Sequence, residues 1–151
     1  MKKLLLILAV SGFIISCSVS EPVEKKLDLI NIEVVQNRLT KTNWKLSKYL
    51  LDGKLEKVSI DSKANLRFED KKIYGDGGVN RYFGSYRIDN NNISIEKIGT
   101  TLMMGPEDIM KQEYLFIKLL QEVRSYEIIE DSLKLLNDKE VLLVLTTSES
   151  E

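Results

Sequence analysis

Hydrophobic and polar residues alternate through most of the chain, in short segments that begin near Leu39 and end near Leu145. An alternation with a period of two predicts β-strands that bury one face. Short polar turns separate the segments, for example Asp52-Gly53 and Asp70-Lys71. Strands are therefore predicted over residues 44–49, 64–68, 72–74, 81–88, 93–96, 126–129, 133–136 and 141–145.

One segment, residues 107–123, has the period of an amphipathic helix instead. Pro106 suits its first position, because the missing proline N–H would be unpaired there, and Glu107 and Asp108 favour the positive end of the helix dipole. Its apolar stripe consists of Ile109, Phe116, Leu120 and Val123. One such helix among many strands needs a sheet to cover. The predicted fold is α+β: a mostly antiparallel, strongly curved or partly closed β-sheet covered by one amphipathic α-helix.

The chain begins with a different pattern. Lys2 and Lys3 precede an uninterrupted apolar or small stretch of 12 residues, which ends just before Ser16 and Cys17. This is the layout of a secretory signal, and it is shorter than the roughly 20 residues of a membrane-spanning helix. The Ile-Ile-Ser-Cys ending resembles the lipobox of bacterial lipoproteins. The resemblance implies that residues 1–16 are removed and that Cys17 is acylated, for instance with palmitate; the alternative is a secreted protein with a buried free cysteine.

The lipobox implies a lipid-anchored protein of the cell envelope. Residues 17–38 are predicted to be the lipidated N-terminus and a tether, residues 39–146 the domain, and residues 147–151 a frayed tail. Within the tether, 27–35 is apolar enough to form a short helix or strand on the domain, and its period does not decide between them. Ser18, rather than aspartate, after the cysteine favours the outer membrane, facing the periplasm, in a cell with two membranes; otherwise the anchor lies on the outer face of the cell membrane.

Composition removes several classes of chemistry. Without the signal, 20 basic residues face 23 acidic ones, a formal charge of −3 with no basic stretch, so nucleic acid is not an expected partner. The chain has no histidine, and lipidation would occupy its one cysteine. The usual ligands of zinc, copper and haem and the Ser-His and Cys-His nucleophile pairs are then missing. We expect no metal, no cofactor and no enzymatic activity.

Glycines, aromatic residues and polar residues form one ordered set of motif positions between the first predicted strand and the predicted helix. Its members are Trp44, Gly75, Gly78, Asn80, Gly84, Tyr86, Thr101, Met103, Pro106, Glu113 and Phe116. The order and spacing resemble the META domain, the HslJ-like family of small bacterial envelope proteins, over residues 39–145. The resemblance implies a compact, mostly β domain with one helix, no established enzymatic activity, and a role in envelope stress, drug tolerance or virulence. The fold is also similar to pilot lipoproteins that escort secretin subunits.

The chain departs from the family pattern at two positions. Relatives usually carry cysteines where this chain has Val79 and Gly105. Their joint replacement implies that the two positions touch. It also puts in doubt, for this chain, any redox or disulfide role of the relatives.

The glycines before the strand at 81–88 have two physical interpretations. Gly75, Gly77 and Gly78 could form an anion cradle of backbone N–H groups, or a bend that lets the sheet curl; we favour the bend. Asn80 is expected to bond neighbouring backbone at that bend. Gly84 in mid-strand predicts a side chain packed across it, such as an aromatic ring.

Glu113 is the only charged residue in the apolar stripe of the helix. A carboxylate facing a core must be paired or hydrogen-bonded, so it is either a structural anchor for the glycine bend or Arg81, or an acid in a site. We favour the anchor. Met103 and Met104 could form a binding lip, but packing in the core is the favoured prediction.

Three functions are compatible with these features. The favoured one is a non-enzymatic envelope lipoprotein that binds another envelope protein or supports envelope integrity. The alternative is a carrier of a small apolar or lipid ligand in the sheet interior. Its cavity would be lined by residues such as Leu66, Phe68, Ile95, Phe116 and Leu145. An enzyme acting on glycans would need two acids about 5–10 Å apart, and no such pair is evident in the sequence.

Overall fold

The structure is a computed structural model that describes residues 23–59 and 62–147. The predicted signal peptide, Cys17 and the tether up to residue 22 lie outside the described residues, as do residues 148–151 of the tail. The elements in chain order are α1 (Val23–Lys41), β1 (Trp44–Leu51), β2 (Lys54–Lys57), β3 (Asn65–Glu69), β4 (Lys72–Asp76), β5 (Arg81–Asp89), β6 (Asn92–Thr100), α2 (Glu107–Glu122), β7 (Ser125–Ile129), β8 (Ser132–Leu136) and β9 (Val141–Thr147).

The described strands form one antiparallel sheet that closes on itself. Strands β3 to β9 pair in chain order, and β1 pairs with β3 on one side and with β9 on the other. Strand β2 is a short hairpin arm on β1 and lies outside the ring. Pairing within the ring is least extensive between β6 and β7, where Asn92 and Ser125 form the one paired position of these two strands. The α+β class and the curved, closed sheet are therefore confirmed.

The polar dipeptides form the predicted turns. Asp70 and Lys71 both have positive φ angles, 47° and 62°, as in the two-residue turns that match the twist of a β-hairpin. Two features escaped the sequence pattern: β2 was not predicted, and β6 continues past residue 96 to Thr100. Lys97, with φ 56°, lies opposite a shift in register between Phe83 and Ser85. This bulge breaks the alternation, so the pattern stops where the strand does not.

A second helix, α1, occupies much of the segment interpreted as a tether. It resolves the choice between helix and strand for residues 27–35, whose apolar positions form no single stripe. The Trp44 indole N–H donates to the Leu39 carbonyl over 3.1 Å, and Arg38 pairs with Asp131 at 3.3 Å in the turn after β7. Val35 lies beside the turn 90–92. Helix α1 therefore covers one end of the ring. Neither of the two described helices combines the length and the hydropathy of a membrane-spanning segment.

Large side chains fill the interior of the ring. Trp44 and Tyr126 are at most 1% exposed, and two edge-to-face ring pairs add to the packing: Phe68 with Tyr86 at 5.1 Å and Tyr82 with Phe116 at 5.7 Å. All five residues expected to line a carrier cavity belong to this same core: Leu66, Phe68, Ile95, Phe116 and Leu145. They are at most 4% exposed. The interior is therefore packed with side chains, as in other small barrels.

Neighbouring groups approach the backbone closely at Gly84, as predicted, but they are not the aromatic ring that was expected. A Cβ at Gly84 would lie 3.1 Å from the Glu96 carbonyl oxygen and 3.1 Å from Ile73 Cγ1. Ile98 Cγ1 would be 3.2 Å away. The expected aromatic ring is thus replaced by aliphatic side chains, because β5 packs here against the bulge of β6.

Helix α2 begins and ends within one residue of the prediction. Pro106 is the N-cap rather than the first helical residue, with φ −56° and ψ 137°, and Val123 is the C-cap. Two polar side chains, Gln112 and Glu113, lie on the buried face of α2. They position the candidate site.

Candidate functional site

Glu113 connects α2 to the glycine bend between β4 and β5. Its Oε2 accepts hydrogen bonds from the backbone N–H groups of Val79 (2.8 Å) and Asn80 (2.6 Å). Its Oε1 accepts a third from Asn80 Nδ2 at 2.7 Å. These are the bonds expected of a structural anchor. The Arg81 side chain is not among the donors and points towards Asp76, at 4.0 Å.

The bend approaches α2 as closely as it does because it carries glycines. A Cβ at Gly77 would lie 2.7 Å from Glu113 Cγ, and one at Gly78 would lie 2.8 Å from Ile109 Cγ2. Gly78 also has φ 139°, which other residues rarely adopt. The bend thus combines the two interpretations made from the sequence: it is a turn of the sheet, and its N–H groups do hold an anion, the carboxylate of Glu113.

Asn80 reaches further than expected. Its side chain bonds no backbone of its own bend; instead Oδ1 accepts from the Met103 N–H at 2.7 Å and from the Thr101 hydroxyl at 2.8 Å. The amide Nδ2 that donates to Glu113 also lies 3.3 Å from the Met103 carbonyl oxygen. Asn80 therefore fixes the segment between β6 and α2 onto the same anchor.

Val79 and Gly105 touch, as inferred from their joint departure from the family pattern. A Cβ on Gly105 would lie 2.5 Å from Val79 Cγ2 and 3.3 Å from Val79 Cβ. The valine methyl groups occupy the space that a side chain at position 105 would need. The loop formed by residues 101–105 is thus held from below by Asn80 and packed from the side by Val79.

The outer surface of this loop is apolar and exposed, so the prediction that its methionines pack in the core is wrong. Leu102 is 96% exposed and Met104 87%, and Tyr114 on α2 is 73% exposed beside them. The loop and the helix enclose a groove of about 340 Å³. Its lining residues are Asn80, Thr100, Thr101, Leu102, Met103, Met104, Met110, Glu113, Tyr114 and Ile117. We call this the 102–114 groove.

The chemistry of the groove is that of a binding surface. Glu113 is the one carboxylate among its lining residues, and three donors already occupy its oxygens. No cluster of three or more His, Cys, Asp or Glu side chains within the described residues could hold a metal ion.

Deeper in the core, burial and the charge of Asp76 raise the pKa of Tyr82 well above its usual value. Its hydroxyl donates to the Asn65 carbonyl over 2.7 Å, a structural contact.

Two residues of α2 that hold or line this region, Gln112 and Tyr114, were not predicted from the sequence. Gln112 accepts from the Ser59 N–H at 2.9 Å and donates to the Ser62 hydroxyl at 2.6 Å, so α2 also holds the connection between β2 and β3. Gln112 follows Ile109 by three residues, and this spacing alone would have placed it on the buried face of the helix. Tyr114 carried a weaker signal, an aromatic residue on the polar face of an amphipathic helix.

The remaining family-motif residues lie in the core, in the sheet or at the end of the groove wall. Trp44, Tyr86 and Phe116 lie in the core, and Gly75 lies in β4 opposite Tyr82. Pro106 ends the loop that forms the groove wall. The motif therefore encodes the support of the groove more than its exposed lining.

The fold is similar to solved structures. The NMR structure of a protein from Burkholderia xenovorans has a TM-score of 0.63 and 23% identity, covering 78% of this chain and 88% of that one. A second protein solved by NMR has a TM-score of 0.56 and 18% identity, covering 74% and 92%. The crystal structure of a DUF4847 family protein from Bacteroides vulgatus ATCC 8482 has a TM-score of 0.54 and 14% identity, covering 78% and 99%. At these identities the likeness concerns the fold alone.

The comparison of sequences is decisive for the family. No curated protein matches this chain. The family model of the META domain matches residues 37–150, which is most of the sequence and includes every motif residue named above. The chain belongs to the META domain family.

Proposed function

We propose that this chain is a lipid-anchored protein of the bacterial envelope whose META domain is not an enzyme and binds an apolar segment of another envelope protein in the 102–114 groove. The observation that carries the proposal is the exposure of Leu102, Met104 and Tyr114 on a firmly held support. Clustered exposed apolar side chains mark interaction sites, whereas scattered ones do not. Methionines adapt to irregular apolar partners.

The rigidity of the loop favours binding. Asn80 holds both the N–H of Met103 and the hydroxyl of Thr101, and Glu113 holds Asn80. Because the backbone is already ordered, little conformational entropy is lost when a partner docks. The same network supports a non-enzymatic role, since the carboxylate of Glu113 is committed to three hydrogen bonds.

The position of α1 favours a protein partner over the bilayer itself. Strands β5 and β6 run from the groove to the turn 90–92, and α1 lies at that turn. Each strand has nine residues, so the groove and α1 are separated by roughly 30 Å along the hairpin. Only residues 17–22 separate the proposed lipid on Cys17 from α1, at most about 20 Å of extended chain. An anchor on the α1 side leaves the groove facing the aqueous envelope.

The alternative function, a carrier of a small apolar ligand, would require a different binding site from the one expected. Core side chains fill the interior in which a ligand was expected, so a small apolar ligand would have to use the groove instead. A volume of about 340 Å³ is at the lower end of the range typical of small-molecule sites.

Photocrosslinking in intact cells tests the proposal. A photoreactive amino acid at position 104 should yield a discrete protein adduct that disappears when Leu102→Glu and Tyr114→Glu are added. The matched control is position 129, because Ile129 is also an exposed apolar residue, at 51%, but lies in a different part of the ring. Equal adducts from both positions, or an adduct that survives the two glutamates, would contradict binding in the groove. An adduct with lipid would favour the bilayer.

A further inference from the structure

The methionines of this chain have an unusual distribution. The sequence contains four, and all three that follow Met1 line the 102–114 groove: Met103, Met104 and Met110. Core packing does not explain Met103 and Met104, which are 53% and 87% exposed, whereas Met110 on α2 is half-buried. Three methionines thus line one surface groove of a chain that has no histidine and one cysteine.

Thioether sulfur is a soft, uncharged ligand. Among biological metals it selects Cu(I), and by the same softness Ag(I), over harder ions such as Zn²⁺ or Mg²⁺. Copper was excluded above because the chain lacks imidazole and free thiolate ligands. That argument did not consider thioether ligands. A site made of methionines alone is therefore compatible with this composition, and it is specific for soft monovalent cations.

The three sulfurs are attached to one rigid support. Met110 Sδ accepts a hydrogen bond from the Gly105 N–H at 3.4 Å, which places it against the loop that carries Met103 and Met104. The backbone of Met103 is fixed by Asn80. Methionine side chains are unbranched and flexible, so a shared ion would require Met103 and Met104 to rotate their thioethers towards Met110 Sδ over a backbone that Asn80 already holds.

The electrostatics of the groove favour a cation. The face of an aromatic ring attracts positive charge, and Tyr114 lines the same groove. The carboxylate of Glu113 lies among the lining residues as a fixed negative group. The ammonium group of Lys111 pairs with the carboxylate of Glu107, one helical turn earlier on α2, at 2.6 Å.

We propose that Met103, Met104 and Met110 form a binding site for one soft monovalent cation, Cu(I) or Ag(I), in the 102–114 groove. The site does not depend on partner binding: a protein segment needs the apolar surface, and the ion needs the sulfur atoms. Replacing methionine with leucine separates the two, because leucine keeps the apolar character and approximate volume and removes the ligand atom.

The test uses the mature chain, residues 17–151, with Cys17→Ser, which removes the only thiol. Ag(I), which needs no reducing agent, is titrated in chloride-free buffer and followed by calorimetry and native mass spectrometry. We expect one ion per chain, no competition from Zn²⁺, and loss of binding in the Met103→Leu, Met104→Leu, Met110→Leu triple variant. Each single substitution should weaken binding about tenfold or more, a loss of at least about 1.4 kcal/mol.

A second measurement decides the matter even if the triple variant fails to fold. In the variant with all three methionines, the ¹³C methyl resonances of Met103, Met104 and Met110 should shift together and saturate at one equivalent of Ag(I). Absence of binding, binding that persists in a folded triple variant, or shifts of only one or two methyl groups would overturn the three-sulfur site. If Ag(I) fails to bind while the photocrosslink at position 104 persists, the partner proposal stands and the metal proposal falls.

Discussion

The carboxylate of Glu113 lies 2.6 Å from the backbone nitrogen of Asn80, and this contact joins α2 to the glycine bend between β4 and β5. The side chain of Asn80 extends the connection to Met103. The exposed loop of the groove is therefore supported by a chain of hydrogen bonds that begins on α2.

Removing the carboxylate should destabilise the domain. Glu113→Ala leaves two backbone N–H groups and the Asn80 amide without their acceptor in a buried environment, at a cost of about 3 kcal/mol or more. The melting temperature should fall by roughly 10 °C or more. Glu107→Ala is the matched control, because Glu107 lies on the exposed face of the same helix and its loss should have little effect. Equal melting temperatures for the two variants would refute the anchor.

The contact between Val79 and Gly105 predicts that a disulfide can be introduced. The Cβ atoms would be 3.3 Å apart, just below the usual range of about 3.5–4.5 Å, and the valine methyl groups that now crowd Gly105 would be gone. The oxidised Val79→Cys, Gly105→Cys variant, made with Cys17→Ser, should gain about 3 kcal/mol from closing the intervening loop. Thiol titration and melting with and without reductant measure this. Free thiols after oxidation would show that the loop is not held as described.

The two glycines with positive φ should respond differently to alanine. Gly78→Ala meets both an unfavourable φ of 139° and Ile109 Cγ2 at 2.8 Å, whereas Gly53→Ala, with φ 76°, has no atom within 4 Å. We expect Gly53→Ala to cost about 1 kcal/mol through backbone strain alone and Gly78→Ala clearly more. Urea unfolding compares them; the reverse order would mean that the bend does not press on α2.

The buried Tyr82 predicts a limit of stability at alkaline pH. Burial, with a smaller effect of Asp76, raises its pKa well above the usual value, so only the unfolded chain loses this proton just above pH 10. The contribution of Tyr82 to the free energy of unfolding should be constant below about pH 10. Above that pH it should fall by up to about 1.4 kcal/mol per pH unit. Tyr82→Phe should reduce that slope by one proton, although it is less stable at neutral pH because the bond to the Asn65 carbonyl is lost. An unchanged slope would count against the burial of this hydroxyl.

Lipidation of Cys17 is tested by metabolic labelling with an alkyne-bearing palmitate. The full chain should incorporate the label and sediment with membranes. Cys17→Ala should do neither, while Ser18→Ala should behave as the wild type. Incorporation into the Cys17→Ala variant would place the lipid elsewhere or exclude the lipobox.

Local pattern was sufficient for much of the fold. The period-two segments, the polar turns and the 3.6-residue stripe predicted eight of the nine strands in the described ranges and the limits of α2, because each depends on residues close together in sequence. Helix α1 was ambiguous because its apolar residues form no stripe, and the continuation of β6 was hidden because the bulge at Lys97 changes which face the side chains occupy.

The class of fold, the family and the presence of one charged residue on a buried helical face could all be predicted from the amino-acid sequence. The contacts of that residue, and the surface that is left open, depend on how distant segments pack together. Asn80 and Met103, and likewise Val79 and Gly105, are more than 20 positions apart, so no local pattern can show that they meet. Whether Met103 and Met104 are buried depends on what packs against their loop, and the closed ring and α2 leave them exposed because the core is already filled.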